Sequence, residues 1–252
     1  MERLETRVRS LDDRLRTIED VEEIEKLQLM YGDYLQYGMW EEAVVDLFSD
    51  NAESFEVGDR GVYLGKEGIK RICRLMGENR VPRETSSWGD LQGMIVPRVM
   101  FHLLMIDQPV IDVDPGGKVA CGRSQALELV ARPTAYGKSQ APEGAGPVSG
   151  TWVQYWGHGM YQNEFIKEEG KWRFRKLHFY LTTHAPYETG WLTHTKTYGA
   201  HPTIKPDRPS TGYHPYPDPE WCTVPFHYKH PYARAGSAVE GHKPSGPCEE
   251  EL

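Results

Sequence analysis

The sequence predicts an α+β fold on three observations. Helical periodicity dominates the N-terminal third. Apolar alternation dominates residues 99–180. Between those apolar runs lie turn sequences with no intervening helices, so the strands form a meander and not βαβ units.

Leu4, Val8, Leu11, Leu15 and Ile18 alternate spacings of four and three, with charge at most other positions. This is a heptad seam on a short amphipathic helix, residues 1–19. At about two heptads it is too short to stand alone, so it is expected to pack on its own domain or on another subunit. The periodicity continues through Val21, Ile24, Leu27, Tyr31 and Tyr34, with Gly38 as the expected stop. A second helix is expected over Trp40–Phe48 and a third over KEGIKRICRLMG.

Strands are expected near 52–57, 62–64, 99–106, 110–114, 119–130, 150–166 and 172–180. DPGG at 114–117 and EEGK at 168–171 read as hairpin turns. Residues 78–98 and 131–149 read as Gly/Pro-rich loops. After about residue 187 the chain changes to Pro, His, Tyr and Trp with little periodicity. It is too aromatic for an ordinary tail and is expected to wrap as an extended arm over its own or a neighbouring subunit. From about Ala233 it reads as disordered.

The 252 residues carry 29 basic and 37 acidic side chains, for a formal charge of −8. No basic cluster suits nucleic acid or an anionic membrane, and no apolar run is long enough to span a bilayer. The N-terminus lacks a signal-peptide core, so a cytoplasmic protein is the default expectation. Four scattered cysteines, Cys73, Cys121, Cys222 and Cys248, then read as free thiols. No phosphate loop or dinucleotide fingerprint is present. The histidines at 194, 201, 214, 227 and 230 lie where no regular structure is expected, and Pro225 and Pro231 argue against a helical metal site; no metal or other cofactor is expected. Seven Trp, fourteen Tyr and seven Phe suit a pocket for an aromatic ligand, or a large core.

Four segments in register carry a resemblance: VEEIEKLQLMYGDYLQYGMWEEAVVDLFSDNAE, FEVGDRGVYLGKEGIKRI, FHLLMIDQPVIDVDPGGKVACG and GMYQNEFIKEEGKWRFRKLHFY. Together they resemble the SnoaL-like branch of the nuclear-transport-factor-two-like superfamily over roughly residues 20–185. The resemblance implies a cone-shaped α+β barrel, three helices packed on a strongly curved antiparallel sheet around a water-poor pocket. The N-terminal helix and the C-terminal arm, residues 188–252, lie outside it. It implies a cofactor-independent lyase on an aromatic small molecule, like scytalone dehydratase or the lignin-dimer lyases that turn a diaryl propanediol into a stilbene and formaldehyde. A ketosteroid-isomerase-like or cyclase-like proton shuttle, with Asp33 or Glu56 as base, and a non-catalytic binding module are the alternatives. A homo-oligomer, dimer or trimer, is expected.

The resemblance places His102 as the pocket histidine, a residue type that exchanges protons near neutral pH. Without it, a satisfied core histidine is the simpler reading. Tyr31, Tyr34 and Tyr37 recur every three residues, near one helix face, and serve either substrate oxygens or helix–sheet packing. Asp33 either orients His102 or is solvated. Tyr161 and Asn163 are expected to point inward, on a face where Gly157 and Gly159 leave room for a ligand, and His158 outward. Arg123, His178 and Trp88 complete the expected substrate contacts, with a salt bridge for Arg123 and a core or interface position for His178 as the alternatives.

Overall fold

The computed structural model describes residues 2–78, 101–133, 152–188, 190, 204–211, 224, 226–228 and 231. Trp88, the histidines at 194, 201, 214 and 230, most of both expected loops and the expected disordered end lie outside these residues.

The first helix, α1 (Glu2–Tyr37), is one continuous element and not two. Gly38 ends it with φ 79°, and its N–H bonds Leu35 O while Met39 N–H bonds Tyr34 O. Only a residue without Cβ takes that left-handed backbone freely. The expected second helix is shorter and irregular: a π turn at Trp40–Val44 runs into a 3₁₀ turn at Val45–Leu47. α2 (Gly65–Glu78) is the expected KEGIKRICRLMG helix.

Six strands follow the predicted order: β1 (Ser54–Val57), β2 (Val62–Leu64), β3 (Phe101–Val113), β4 (Val119–Pro133), β5 (Trp152–Glu168) and β6 (Lys171–Pro186). They form one sheet in the order β2-β1-β6-β5-β4-β3. It is curved and open, not a closed barrel. Nor is it wholly antiparallel, because β1 runs parallel to β6, Phe55 opposite Leu177. The two runs expected at 99–106 and 110–114 are one strand with a bulge, where Gln108 has φ 54° and the register shifts before Val110. Pro109 sits in that bulge on the sheet's edge strand, where its missing N–H breaks no central ladder.

DPGG is the β3–β4 hairpin. Asp114 accepts hydrogen bonds from the backbone N–H groups of Gly116, Lys118 and Val119 at 2.8, 2.6 and 2.6 Å. EEGK is the β5–β6 hairpin, with Glu169 and Gly170 both at positive φ.

One face of the sheet packs on the helices. Ile24, Leu27, Tyr31 and Leu35 of α1 and Ile69, Ile72 and Leu75 of α2 close over Tyr161, Phe165, Phe174, Leu177 and Phe179. Phe174 is fully buried and meets Phe165 and Phe48 at ring distances of 5.1 and 5.3 Å. Burying each such ring contributes about 1.5–3 kcal/mol. Asp20 is the first buried residue of α1, clamped by Lys167 and by the Trp172 indole N–H at 2.8 Å.

The opposite, outer face is covered in part by the chain's own arm. Arg208 bridges to Val62, Asp207 bonds the Leu64 N–H and Arg71, and Ser210 and Thr211 hold Glu56. His227 is buried against Gln162. The described part of the arm therefore wraps its own sheet.

Cys73 is a buried free thiol, as expected, but Cys121 is disulfide-bonded, with its partner outside the described residues. The free-thiol expectation fails there because β4 turns Cys121 to the outer face. Disulfides persist in oxidising compartments and are rare in the cytosol. Among the described residues no helix is long and apolar enough to cross a membrane. Alkylation of the denatured chain without reductant is expected to label two fewer thiols than alkylation after reduction. Intact mass reads the difference, and equal labelling of all four would refute the bond.

Candidate active site on the inner face

Strand alternation decides which side chains meet. On β3, His102, Leu104 and Ile106 point inward. On β4, Val130, Glu128 and Ala126 stand opposite them in that order, and Ser124 continues the same face. This brings His102 Nε2 within 2.7 Å of Glu128 Oε1, with both side chains nearly buried at 11% and 12% exposure. The carboxylate accepts from Nε2–H. In neutral imidazole that leaves Nδ1 as the basic nitrogen.

Glu128 needs Gly157 beside it on β5. A Cβ there would stand 2.6 Å from Glu128 Oε2 and 3.0 Å from its Cβ. Gly159 makes way for Phe179, whose ring would meet a Cβ at 2.3 Å. The two glycines were expected to leave room for a ligand. Instead they make room for protein groups, a carboxylate and a core ring.

Tyr161 does point inward, as does Asn163. Tyr161 and Tyr31 are both buried, with ring centroids 5.7 Å apart and ring planes at 82°. Burial pushes both phenols upward, Tyr31 well above its ordinary range, and the charge of Glu128 adds to the push on each. Both therefore stay protonated and serve as hydrogen-bond donors, not as bases. Asn163 is structural: its amide donates to Gln28 on α1 at 2.7 Å, and its oxygen accepts the His178 N–H at 3.0 Å.

The helix-end residues separate. Tyr34 is half-buried against the core. Tyr37 is 63% exposed at the last helical position, and Asp33 is exposed and within 3.5 Å of Gln36. Steps of three residues advance about 300° around a helix, so by Tyr37 the stripe has rotated off the inner face. Asp33 does not orient His102; Glu128 does. The signal for Glu128 was legible as an acid in the apolar run ALELV, since a carboxylate on a half-buried strand needs a partner. Gln28 carried no such signal.

Arg123 and His178 lie on the outer face, not with His102. Arg123 is buried under the arm, 3.3 Å from Gln162 Oε1 and 4.4 Å over the Phe226 ring, and burial lowers its pKa. His178 stacks on Tyr180 at 3.7 Å and stands 3.5 Å from Glu56. Burial pulls its imidazole down to about 4 even against the attraction of Glu56. Burial also opposes ionisation of Glu56. His178 and the hydrogen bonds from Thr211 and Ser210 outweigh it and hold the carboxyl below its usual range. Glu56 is thus an anchor for the arm and no base for the inner face. His158 points outward as expected and bonds Thr182 at 2.6 Å.

The outer-face pair sets an acid limit on stability. A histidine near 6.5 unfolded and about 4 folded makes the unfolded chain bind more protons between those values. Stability is therefore expected to be flat above about pH 6.5 and to fall by about 2 kcal/mol from pH 7 to 5. The Glu56 contribution has the same sign and is lost at lower pH. Urea midpoints across this range read the slope, and His178→Gln should flatten it; an unchanged slope in that variant would reject the assignment.

An open, curved α+β sheet with helices on its inner face is the architecture of the nuclear-transport-factor-two-like superfamily. Within it the chain belongs to the SnoaL-like domain family, which matches residues 16–178. Among solved structures it is similar to a candidate scytalone dehydratase from Novosphingobium aromaticivorans, at 16% identity and TM-score 0.48 over 76% of this chain and 95% of that one. It is also similar to an NTF2-like protein with a cystatin-like fold from the same species, at 19% identity and TM-score 0.41 over 71% and 90%. A hexachlorocyclohexane dehydrochlorinase (LinA) type 2 gives 17% identity and TM-score 0.43 over 76% and 98%. No curated protein matches the sequence.

Proposed function

We propose that the protein is a cofactor-independent lyase for an aromatic small molecule, with His102 as the group that moves protons. The observation that carries this is the His102–Glu128 pair: a hydrogen-bonded acid–base couple at 2.7 Å on the inner face. A carboxylate bonded to one imidazole nitrogen fixes the tautomer and orients the ring. Tyr31 and Tyr161 supply neutral donors nearby for an alcohol or phenol oxygen.

On a 1,2-diarylpropane-1,3-diol with a para-hydroxyl, the chemistry closes without a metal or redox group. His102 protonates the benzylic hydroxyl, which leaves as water. Loss of the phenol proton lets the ring electrons form a quinone methide. Removal of the remaining alcohol proton then breaks the carbon–carbon bond, releasing formaldehyde. The bonding pair makes the stilbene double bond and restores the phenol, so the products are stilbene, formaldehyde and water.

The protein incubated with such a diol is expected to release formaldehyde and stilbene in equal amounts, read by colorimetry and ultraviolet absorbance. Glu128→Gln should slow this roughly tenfold or more, because the carboxylate that orients the His102 ring is lost. A substrate that binds, by calorimetry, without being consumed would favour the non-catalytic reading. A carboxylate-based proton shuttle would instead lose more activity in Glu128→Gln than in His102→Gln, Glu128 being the one inner-face carboxylate among the residues named above.

A further inference from the structure

The first half of α1 carries an apolar seam that stays exposed among the described residues. Leu4, Val8, Leu11, Leu15, Ile18 and Leu29 are each between 49% and 68% exposed. Residues 3–19 are exposed throughout, and burial begins at Asp20. The exposed seam and the stripe that docks on the sheet lie on different sides of the same helix. From Leu11 to Ile24, or from Ile18 to Tyr31, is 13 positions, which turns an α-helix by about 220°. Leu29 is 11 positions beyond Ile18, about 20° off the seam, and is exposed in line with it. A second helix can therefore lie along this seam without meeting the sheet.

The seam's charges say which helix. With Val8 and Leu15 at position a, and Leu4, Leu11 and Ile18 at d, position e holds Glu5, Asp12 and Glu19, and position g holds Arg7 and Arg14. In a parallel pair each g residue faces the e residue five positions on in the other strand. Arg7 then meets Asp12 and Arg14 meets Glu19, twice over by symmetry. In an antiparallel pair e faces e and g faces g, so acid would meet acid and arginine would meet arginine. The sequence is complementary to itself in only one direction.

We infer that residues 2–19 pair in parallel with the same segment of a second copy of this chain, forming a short coiled coil. Val8 at a with Leu11 at d suits two strands, while Leu15 at a with Ile18 at d also admits more, and the g-to-e charge match sets the parallel direction in either case. The nucleation cost that keeps a helix of this length from forming alone is already met, because α1 is continuous with the anchored part from Asp20 onward. The two domains then sit at the same end of the coil, on opposite sides of it, since each docks through the face turned away from the seam.

The test is orientation-specific cross-linking of the full chain. Leu4→Cys places a thiol at a d position near the coil's free end. In a parallel pair the two meet. In an antiparallel pair centred on Leu11 they stand roughly 20 Å apart, beyond the reach of about 7 Å between Cα atoms that a disulfide allows. Mild oxidation is expected to give a covalent dimer absent from the wild type, on a non-reducing gel.

Adding Arg7→Glu and Arg14→Glu should reduce the cross-linking rate at least tenfold. Adding Asp12→Arg and Glu19→Arg to those should restore it, because the reversed charges again match in parallel. Failure of folded Leu4→Cys protein to cross-link overturns the inference. So does cross-linking indifferent to the charge reversals. Circular dichroism and thermal melting confirm that each variant is folded, since every substituted side chain is exposed in the single chain.

Discussion

His102→Gln is expected to lose 10²- to 10⁴-fold in turnover of the diaryl propanediol, with the fold intact. That is the span over which one positioned acid–base group contributes. Gln is the informative replacement because its amide can still donate to Glu128, so the carboxylate keeps a partner. His102→Ala would instead take from a nearly buried carboxylate the imidazole it bonds, at a cost of about 1–3 kcal/mol, and would confuse lost stability with lost chemistry. Steady-state rates with a matched far-ultraviolet spectrum decide the question. If His102→Gln turns over at the wild-type rate, proton transfer by this residue is excluded, whatever Glu128 does.

Gly159→Ala is expected to be the most destabilising small substitution on β5, at about 3–5 kcal/mol, near the limit for single changes. The added Cβ would stand 2.3 Å from Phe179 Cζ and 2.5 Å from the Tyr180 carbonyl oxygen. Phe179 is in the core and cannot swing out, and the carbonyl is backbone. Overpacking of this kind forces side chains off their rotamers and shifts backbone. A urea midpoint would register the loss, and a variant as stable as wild type would mean that the β5–β6 register shift at this glycine relaxes freely. Gly157→Ala differs, because it meets the flexible end of Glu128 and should disturb the acid–base pair more than the core.

Much of the fold was legible because periodicity is a local property. The heptad seam, the stop at Gly38, the DPGG and EEGK turns and the alternation of β5 all follow from residues near each other in sequence. What failed was set at a distance. The expected second helix collapses into π and 3₁₀ turns because Phe48 must bond into position against Phe174. The break expected between 106 and 110 becomes a bulge because β3 is an edge strand. Cys121 finds a disulfide because β4 delivers it to the face the arm covers.

The site divides along the same line. His102, Tyr161 and Tyr31 could be named from residue chemistry and resemblance. Their partner Glu128 could not be joined to His102, since the pairing needs two strands brought into register 26 residues apart. Arg123 and His178 were grouped with them because both are polar residues on interior strands. Only the direction of each side chain across the sheet separates an inner acid–base pair from an outer anchor for the arm.

The sequence by itself determined that helices precede a strand meander and which residues alternate along each strand. It also determined that the charges of the first helix match themselves in parallel. The tertiary structure decided that the sheet stays open and that β1 joins it in parallel. It also decided which of two faces each polar group occupies. The physical reason is that alternation sorts residues into two sets, while only packing against α1 and the arm says which set is inside.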